Sequence, residues 1–191
     1  MFQIMISMIE NIIGDITTAK NNRAYLSALG LSLTLPSILS GIDHNRRSSG
    51  KDYSEWFDQW VFKYYKQPLS DNEVINRGIE ATKFDGKNCY ALRCALLHAG
   101  NADLKDSNKA TIDTFVLCVS DTSPHQGDVY ICDVSASGTS TVYVSLNVVG
   151  LIDALIAGAR DYMTENEDKI RQHLQNKKRR NVFGSIEIEI L

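Results

Sequence analysis

Residues 84–100, with the sequence FDGKNCYALRCALLHAG, decide the fold that we expect for this chain. Asp85 is a favourable residue for capping a helix N-terminus, and Gly100 is typical of the position that follows a helix C-terminus. At 100° per residue, the apolar side chains between them fall on one broad arc. The stretch therefore predicts one helix with a buried face.

Arg93 lies inside that apolar arc, and His98 lies in the last predicted turn. An unpaired guanidinium in a protein interior is costly, so Arg93 needs a carboxylate, a set of carbonyls or an open cleft. The helix dipole favours a protonated imidazole at His98. We interpret these two residues as the candidate catalytic pair.

Residues five apart on an α-helix point about 140° away from each other. Arg93 and His98 can therefore share a site only where the helix end unwinds, or where a second copy of the chain closes the site. A structural alternative stays open, in which His98 caps the helix and Arg93 forms a buried ion pair. The carboxylates considered for that pair are Asp43, Glu55 and Asp58.

The length and composition indicate one domain of an ordinary globular protein, 191 residues long. Its net charge of −3 means that contact with RNA or DNA must be local. None of the four cysteines is in a C-x-x-C pair or has a histidine at zinc spacing. We therefore expect free thiols, a reducing cytoplasmic compartment, no metal and no cofactor, with a Cys118–Cys132 disulfide as the less favoured alternative.

Two apolar stretches are long enough to be considered as a secretion signal or a membrane span. Residues 1–16 lack a basic region and a clear cleavage site, so we do not expect a secretion signal. Residues 24–42 carry no charge, but serines, glycines and Pro36 interrupt them, so we expect a buried core helix and no membrane span.

Helical periodicity predicts a first helix to about Lys20 and a second over about 23–43, kinked at Pro36. A third carries an aromatic stripe that we interpret as core packing: Tyr53, Trp56, Phe57, Trp60, Val61 and Tyr64. Leu69 to Thr82 is a weakly helical connector. We expect a single domain, 1–191, with a helical core over 1–104 and 147–178.

Alternating residues predict strands over 111–119, 129–133 and 141–146. We expect them to form an inserted antiparallel β-meander over 111–146, followed by a long helix over about 147–176, with a candidate capping box at residues 164–167 that would restart it. A C-terminal strand over 182–191 would pair with the meander's edge. The fold class is therefore α+β and mainly helical.

The run YALRCALLH, from Tyr90 to His98, resembles the HEPN superfamily, the higher eukaryotes and prokaryotes nucleotide-binding domains. Its members with Arg-x4-6-His are often metal-independent ribonucleases of toxin, phage-defence or RNA-processing systems. The resemblance implies a four- or five-helix HEPN-like bundle, RNA as substrate, an antitoxin as a conceivable partner, and a homodimer whose Arg93 and His98 line one cleft. Members regulated by nucleotidylation have a tyrosine two residues after the histidine, where this chain has Gly100, so that subtype is not expected.

The chemistry fits that implication. Metal-independent RNA cleavage needs a base for the 2′-hydroxyl, an acid for the leaving oxygen and positive charge at the phosphate. A dimer would supply two copies each of His98 and Arg93. The alternative function is a non-catalytic HEPN-like module for dimerisation or for binding nucleic acid or a nucleotide.

Weaker candidates lie elsewhere in the chain. The basic run Lys177, Lys178, Arg179 and Arg180 is a candidate for binding RNA phosphates, although such runs are more often solvated helix ends. A nucleophilic Cys89 or Cys94 with His98 would make a cysteine hydrolase, but no oxyanion loop is visible. The other histidines are expected to be isolated surface residues: His44, His125 and His173.

Overall fold

The computed structural model describes residues 2–66, 71, 73, 83–99, 114–119, 126–132 and 141–179. This part of the chain is mostly helical and carries one small sheet. Its elements are α1 (Phe2–Asn21), α2 (Tyr25–Ser32), α3 (Leu35–Asp43), α4 (Gly50–Trp60), α5 (Phe62–Tyr65), α6 (Gly86–Cys94), a π-helix (Ala95–Ala99), β1 (Thr114–Cys118), β2 (Gln126–Cys132), β3 (Thr141–Asn147), α7 (Val148–Glu165) and α8 (Glu167–Arg179).

The predicted second helix is two helices, α2 and α3, separated by a turn at Leu33 and Thr34. Pro36 lies in the first turn of α3, where its missing N–H costs no hydrogen bond, so it starts a helix instead of kinking one. The stretch Tyr25–Asp43 is long and apolar enough to cross a membrane by length and composition alone. Half of it is buried inside the protein.

α4 begins with a capping box. The Ser49 side chain accepts a hydrogen bond from the Asp52 backbone N–H, and the Asp52 carboxylate accepts one from the Ser49 backbone N–H. The aromatic stripe that follows is core, as predicted, because Tyr53, Trp56 and Phe57 are buried, as are Trp60 and Val61.

Tyr64, the last residue of the predicted stripe, is instead partly exposed, and Tyr65 takes its place in the core. The chain turns at Val61 between α4 and α5, and this break shifts the buried face by one residue. The Tyr64 hydroxyl donates to the Asp161 carboxylate on α7.

Phe84, just before α6, joins the helices to the sheet. Its ring lies 5.9 Å from that of Phe57, 5.7 Å from Tyr65 and 5.4 Å from Phe115 on β1, all near edge-to-face. Phe84 and Phe115 are both buried, so the sheet packs on the same core as α4 and α6.

The sheet has the order β1-β3-β2. β3 is central, β1 pairs with it in parallel, and β2 pairs with it antiparallel. The expected antiparallel β-meander is therefore not confirmed, since a meander would place β2 in the centre. Alternation reveals which face of a strand is buried but carries no information on which strand pairs with which.

The predicted long helix over 147–176 is also two helices, because α7 ends at Glu165 and α8 begins at Glu167. The Asn147 side chain caps α7 by accepting hydrogen bonds from the N–H groups of Val149 and Gly150. Most of the connector over 69–82 and all of the expected strand over 182–191 lie outside the described residues.

Candidate functional site

α6 carries the Tyr90–His98 run and is fixed to α4 by close backbone contact. Its N-terminus is capped as predicted, with the Asp85 carboxylate accepting from the Asn88 N–H at 3.0 Å. A Cβ added to Gly86 would lie 2.1 Å from the carbonyl oxygen of Ser54. The Gly86 N–H donates to the Asp58 carboxylate at 2.7 Å. These contacts set the depth at which α6 lies against α4.

The helix changes type directly after Arg93 and Cys94. Residues Ala95–Ala99 form a π-helix, so the His98 backbone lies in a wider turn than the sequence predicts. A π-helix has more residues per turn than an α-helix, so it reduces the separation of about 140° that an α-helix imposes on residues five apart. Arg93 lies in α6, just before the π-helix, and His98 lies within it. The helix end therefore departs from α-geometry between the two candidate positions.

Arg93 is half-buried between two tyrosines. Its guanidinium carbon lies 6.0 Å from the ring centre of Tyr53 and 6.0 Å from that of Tyr90. Its Nε is buried and has no hydrogen-bond partner within the described part of the chain. Aromatic faces attract a cation, but they do not accept all of its N–H donors.

The three carboxylates considered for an ion pair with Arg93 are engaged elsewhere. Asp43 pairs with Lys169 at 3.1 Å, and Glu55 lies 3.6 Å from Lys51. Asp58 accepts a hydrogen bond from the backbone N–H of Gly86 in α6, as described above. Among the residues for which side chains are described, Arg93 thus forms no ion pair, and the structural alternative is not supported at these three positions.

The Cys89 thiol is unsuited to nucleophilic chemistry. It is fully buried beside the Tyr53 hydroxyl, with the sulfur and oxygen 3.4 Å apart. Burial raises the pKa of Cys89 to about 12, so the reactive thiolate is suppressed at neutral pH. Cys89, Cys94 and Cys118 form no disulfide in this structure, so the Cys118–Cys132 alternative is not supported.

A second polar cluster surrounds Asp52, a residue that the sequence analysis does not single out. Asp52 is buried and accepts two hydrogen bonds from the Arg46 guanidinium, at 2.7 and 3.0 Å. The Ser49 hydroxyl donates to the same carboxylate at 2.6 Å, and His44 Nε2 lies 3.2 Å from it. The Ser49 hydrogen bond, followed by that of Arg46, holds the pKa of Asp52 well below its usual range.

The expectation that His44 is isolated is therefore wrong, and so is the expectation that His173 lies on the surface, because His173 is buried in α8. The signal that was overlooked is Ser49-x-x-Asp52, a capping box preceded by Arg46 and His44 in one short loop. This cluster ties the loop to α4, and we interpret it as structural.

The remaining candidates are placed only by their backbone or not at all. Lys177, Lys178 and Arg179 lie in the last turns of α8, and their side chains are outside the described residues. Arg180 and His125 also lie outside, as does the side chain of His98. Within the described ranges, no group of three or more His, Cys, Asp or Glu side chains is arranged to hold a metal ion.

Comparison of the chain with family models, with curated protein sequences and with solved structures finds no match.

Proposed function

We propose that this chain is a metal-independent endoribonuclease of the HEPN type. Its active site would be formed at a homodimer interface by Arg93 and His98 from both copies. Within that proposal, RNA is the substrate, the compartment is cytoplasmic, and the role is in defence or RNA processing. Cys89, Cys94 and Cys118 form no disulfide, which is compatible with that compartment.

The observation that carries the proposal is the π-helix over Ala95–Ala99. π-turns are rare and occur mostly at functional sites, because an inserted residue sacrifices regular hydrogen bonding to re-aim a side chain. Here the wider turn moves position 98 towards the side of the helix that carries position 93. It therefore eases the angular separation that an α-helix would impose on Arg93 and His98.

The surroundings of Arg93 give a second line of support. Its guanidinium is held by two aromatic rings and has an unpaired, buried Nε among the described residues. A cation that is positioned but not neutralised by a carboxylate keeps its charge available for an anionic ligand such as a phosphate. A carboxylate paired with Arg93 would have neutralised that charge.

Exposed apolar side chains beside the π-helix support the dimer. Leu97 in the π-helix is 41% exposed, and Leu26 on α2 is 62% exposed. Leu97 contacts α2 near Gly30, where an added Cβ would lie 3.6 Å from Leu97 Cδ2. Leu26 and Gly30 are one helical turn apart, so these residues form one small apolar patch that a second copy would cover.

The experiment is incubation of the pure protein with end-labelled RNA in EDTA. The expected result is cleavage that leaves 2′,3′-cyclic phosphate ends, because the 2′-hydroxyl is the attacking group. Arg93→Ala and His98→Ala should each abolish cleavage, while Arg160→Ala and His44→Ala serve as matched controls and retain it. Cleavage that persists in both motif variants contradicts the proposal, and binding of RNA without cleavage favours the non-catalytic module.

A further inference from the structure

A groove runs between α4 and α6 on the side of α6 that carries Tyr90. It encloses a cavity of about 620 Å³. One face of α4 and two residues one turn apart on α6 form its walls: Gly50, Lys51, Ser54, Glu55, Asp58, Lys87 and Tyr90. A cavity of this volume accommodates a ligand of nucleotide size.

The groove adjoins the candidate catalytic arginine. Tyr90 forms part of its wall, and the same ring lies 6.0 Å from the Arg93 guanidinium carbon. Gly50 makes this arrangement fit, because a Cβ there would lie 2.7 Å from Tyr90 Cε1. A ligand in the cavity would therefore contact the same tyrosine that lies beside Arg93.

The charged side chains that line the cavity are two lysines and two carboxylates, in a chain that is acidic as a whole. Lys51 and Lys87 line the cavity. Burial and the Cys94 thiol raise the pKa of Tyr90, and the charges of Arg93 and Arg47 oppose that rise.

Two carboxylates also line the cavity, and both have partners. Glu55 lies 3.6 Å from Lys51 in an exposed pair, and such pairs are weak enough for a phosphate to compete for the lysine. Asp58 accepts the Gly86 N–H through one oxygen. Its second oxygen is an acceptor suited to the N–H groups of a nucleobase.

From this arrangement we infer that the groove binds the single-stranded RNA segment next to the cleaved bond. Lys51 and Lys87 would contact its phosphates, and one unpaired base would occupy the cavity beside Tyr90. A concave cavity of this size takes a base only when that base is not stacked in a duplex, so the substrate class is unpaired RNA. This inference rests on the proposed ribonuclease function and adds the substrate's path and its strandedness.

The test measures binding apart from cleavage. A fluorescent oligoribonucleotide of about ten residues is fully 2′-O-methylated, so it offers no attacking hydroxyl, and its affinity is measured by anisotropy against salt concentration. Each phosphate contact on a single strand contributes about 0.7 to the slope of log affinity against log salt. Lys51→Ala together with Lys87→Ala should therefore weaken binding and lower that slope by about 1.4.

The matched control is Lys66→Ala with Arg160→Ala, which removes two exposed cations outside the groove. It should leave the slope unchanged, and a hairpin duplex of the same sequence should bind more weakly than the single strand. Any of three results overturns the inference: an unchanged salt slope in the Lys51/Lys87 variant, equal affinity for the duplex and the single strand, or no binding of the single strand. Slope-dependent binding in a protein that does not cleave unmodified RNA upholds the groove and defeats only the nuclease proposal.

Discussion

Replacing Arg93 with methionine distinguishes a functional cation from a structural ion pair. Methionine keeps most of the length of the side chain and removes the charge. If Arg93 were part of a buried ion pair, its loss would leave an orphan carboxylate and cost about 3–5 kcal/mol. The structure instead shows two tyrosine rings around the guanidinium and no carboxylate partner among the described residues.

The expected change can be worked out from those contacts. Each cation–π contact contributes about 0.5–1 kcal/mol at a partly exposed site. Burying the unpaired Nε costs about 1–3 kcal/mol, which the methionine variant recovers. The two effects oppose each other, and their sum lies between a loss of about 1 and a gain of about 2 kcal/mol, so we expect the free energy of unfolding to fall by no more than about 1 kcal/mol.

The assay is urea unfolding followed by circular dichroism, with Arg160→Met as the control for an exposed arginine. In a thermal melt, a chain of this length shifts its melting temperature by about 2–4 °C per kcal/mol, so the melting temperature should fall by no more than about 4 °C. RNA cleavage should disappear in Arg93→Met and persist in the control. A loss of about 3 kcal/mol or more would refute the assignment of Arg93 as an unpaired cation.

Three further outcomes follow from the packing and the titrating groups. Gly86→Ala should destabilise the fold by about 3 kcal/mol, because its Cβ would meet the Ser54 backbone. Gly14 has open space around it, so Gly14→Ala should stabilise the fold by up to about 1 kcal/mol. Urea unfolding measures both changes. Asp52→Asn should lower stability at pH 7 and flatten the acid limb of the stability curve. The Asp52 carboxyl has a lower pKa in the folded state than in the unfolded state, where it is near 4. It therefore stabilises the fold above about pH 4 and loses that contribution as the pH falls. A series of thermal melts over about pH 2–7 checks this. Cys89 should stay unmodified by a thiol reagent at pH 8 in the folded protein and react once it is unfolded, which peptide mass spectrometry reads directly. Each assignment has a result that contradicts it. For Cys89 it is a rate of thiol modification in the folded protein equal to that in the unfolded protein. For Asp52 it is an unchanged acid limb of the stability curve in Asp52→Asn, and for the glycines it is equal stability of the two variants.

The features that the sequence predicts well are those fixed by local patterns. Asp85 caps α6 because its carboxylate is the type that accepts from the third N–H of a helix. The aromatic residues of α4 are buried because their spacing follows one helix face from Tyr53 to Trp60. Both inferences need only near neighbours in the chain.

The features that the sequence does not predict depend on contacts between distant segments. The π-helix follows no local propensity, and Leu97 within it packs over Gly30 of α2, a contact that the sequence does not announce. The helical pattern does not reveal that Asp52 is buried, because its partners Arg46 and His44 come from the preceding loop. The central position of β3 likewise depends on strand pairing, which alternation leaves undetermined.

The central claim is that two copies of the chain combine Arg93 and His98 in one ribonuclease site, and subunit mixing tests it most directly. Wild-type protein is refolded with about a ninefold excess of His98→Ala, so that about nine in ten wild-type chains pair with a mutant partner. If the site needs both histidines, cleavage per wild-type chain falls to about one tenth of its unmixed value. Cleavage per wild-type chain that stays constant across the mixing series would contradict a shared site.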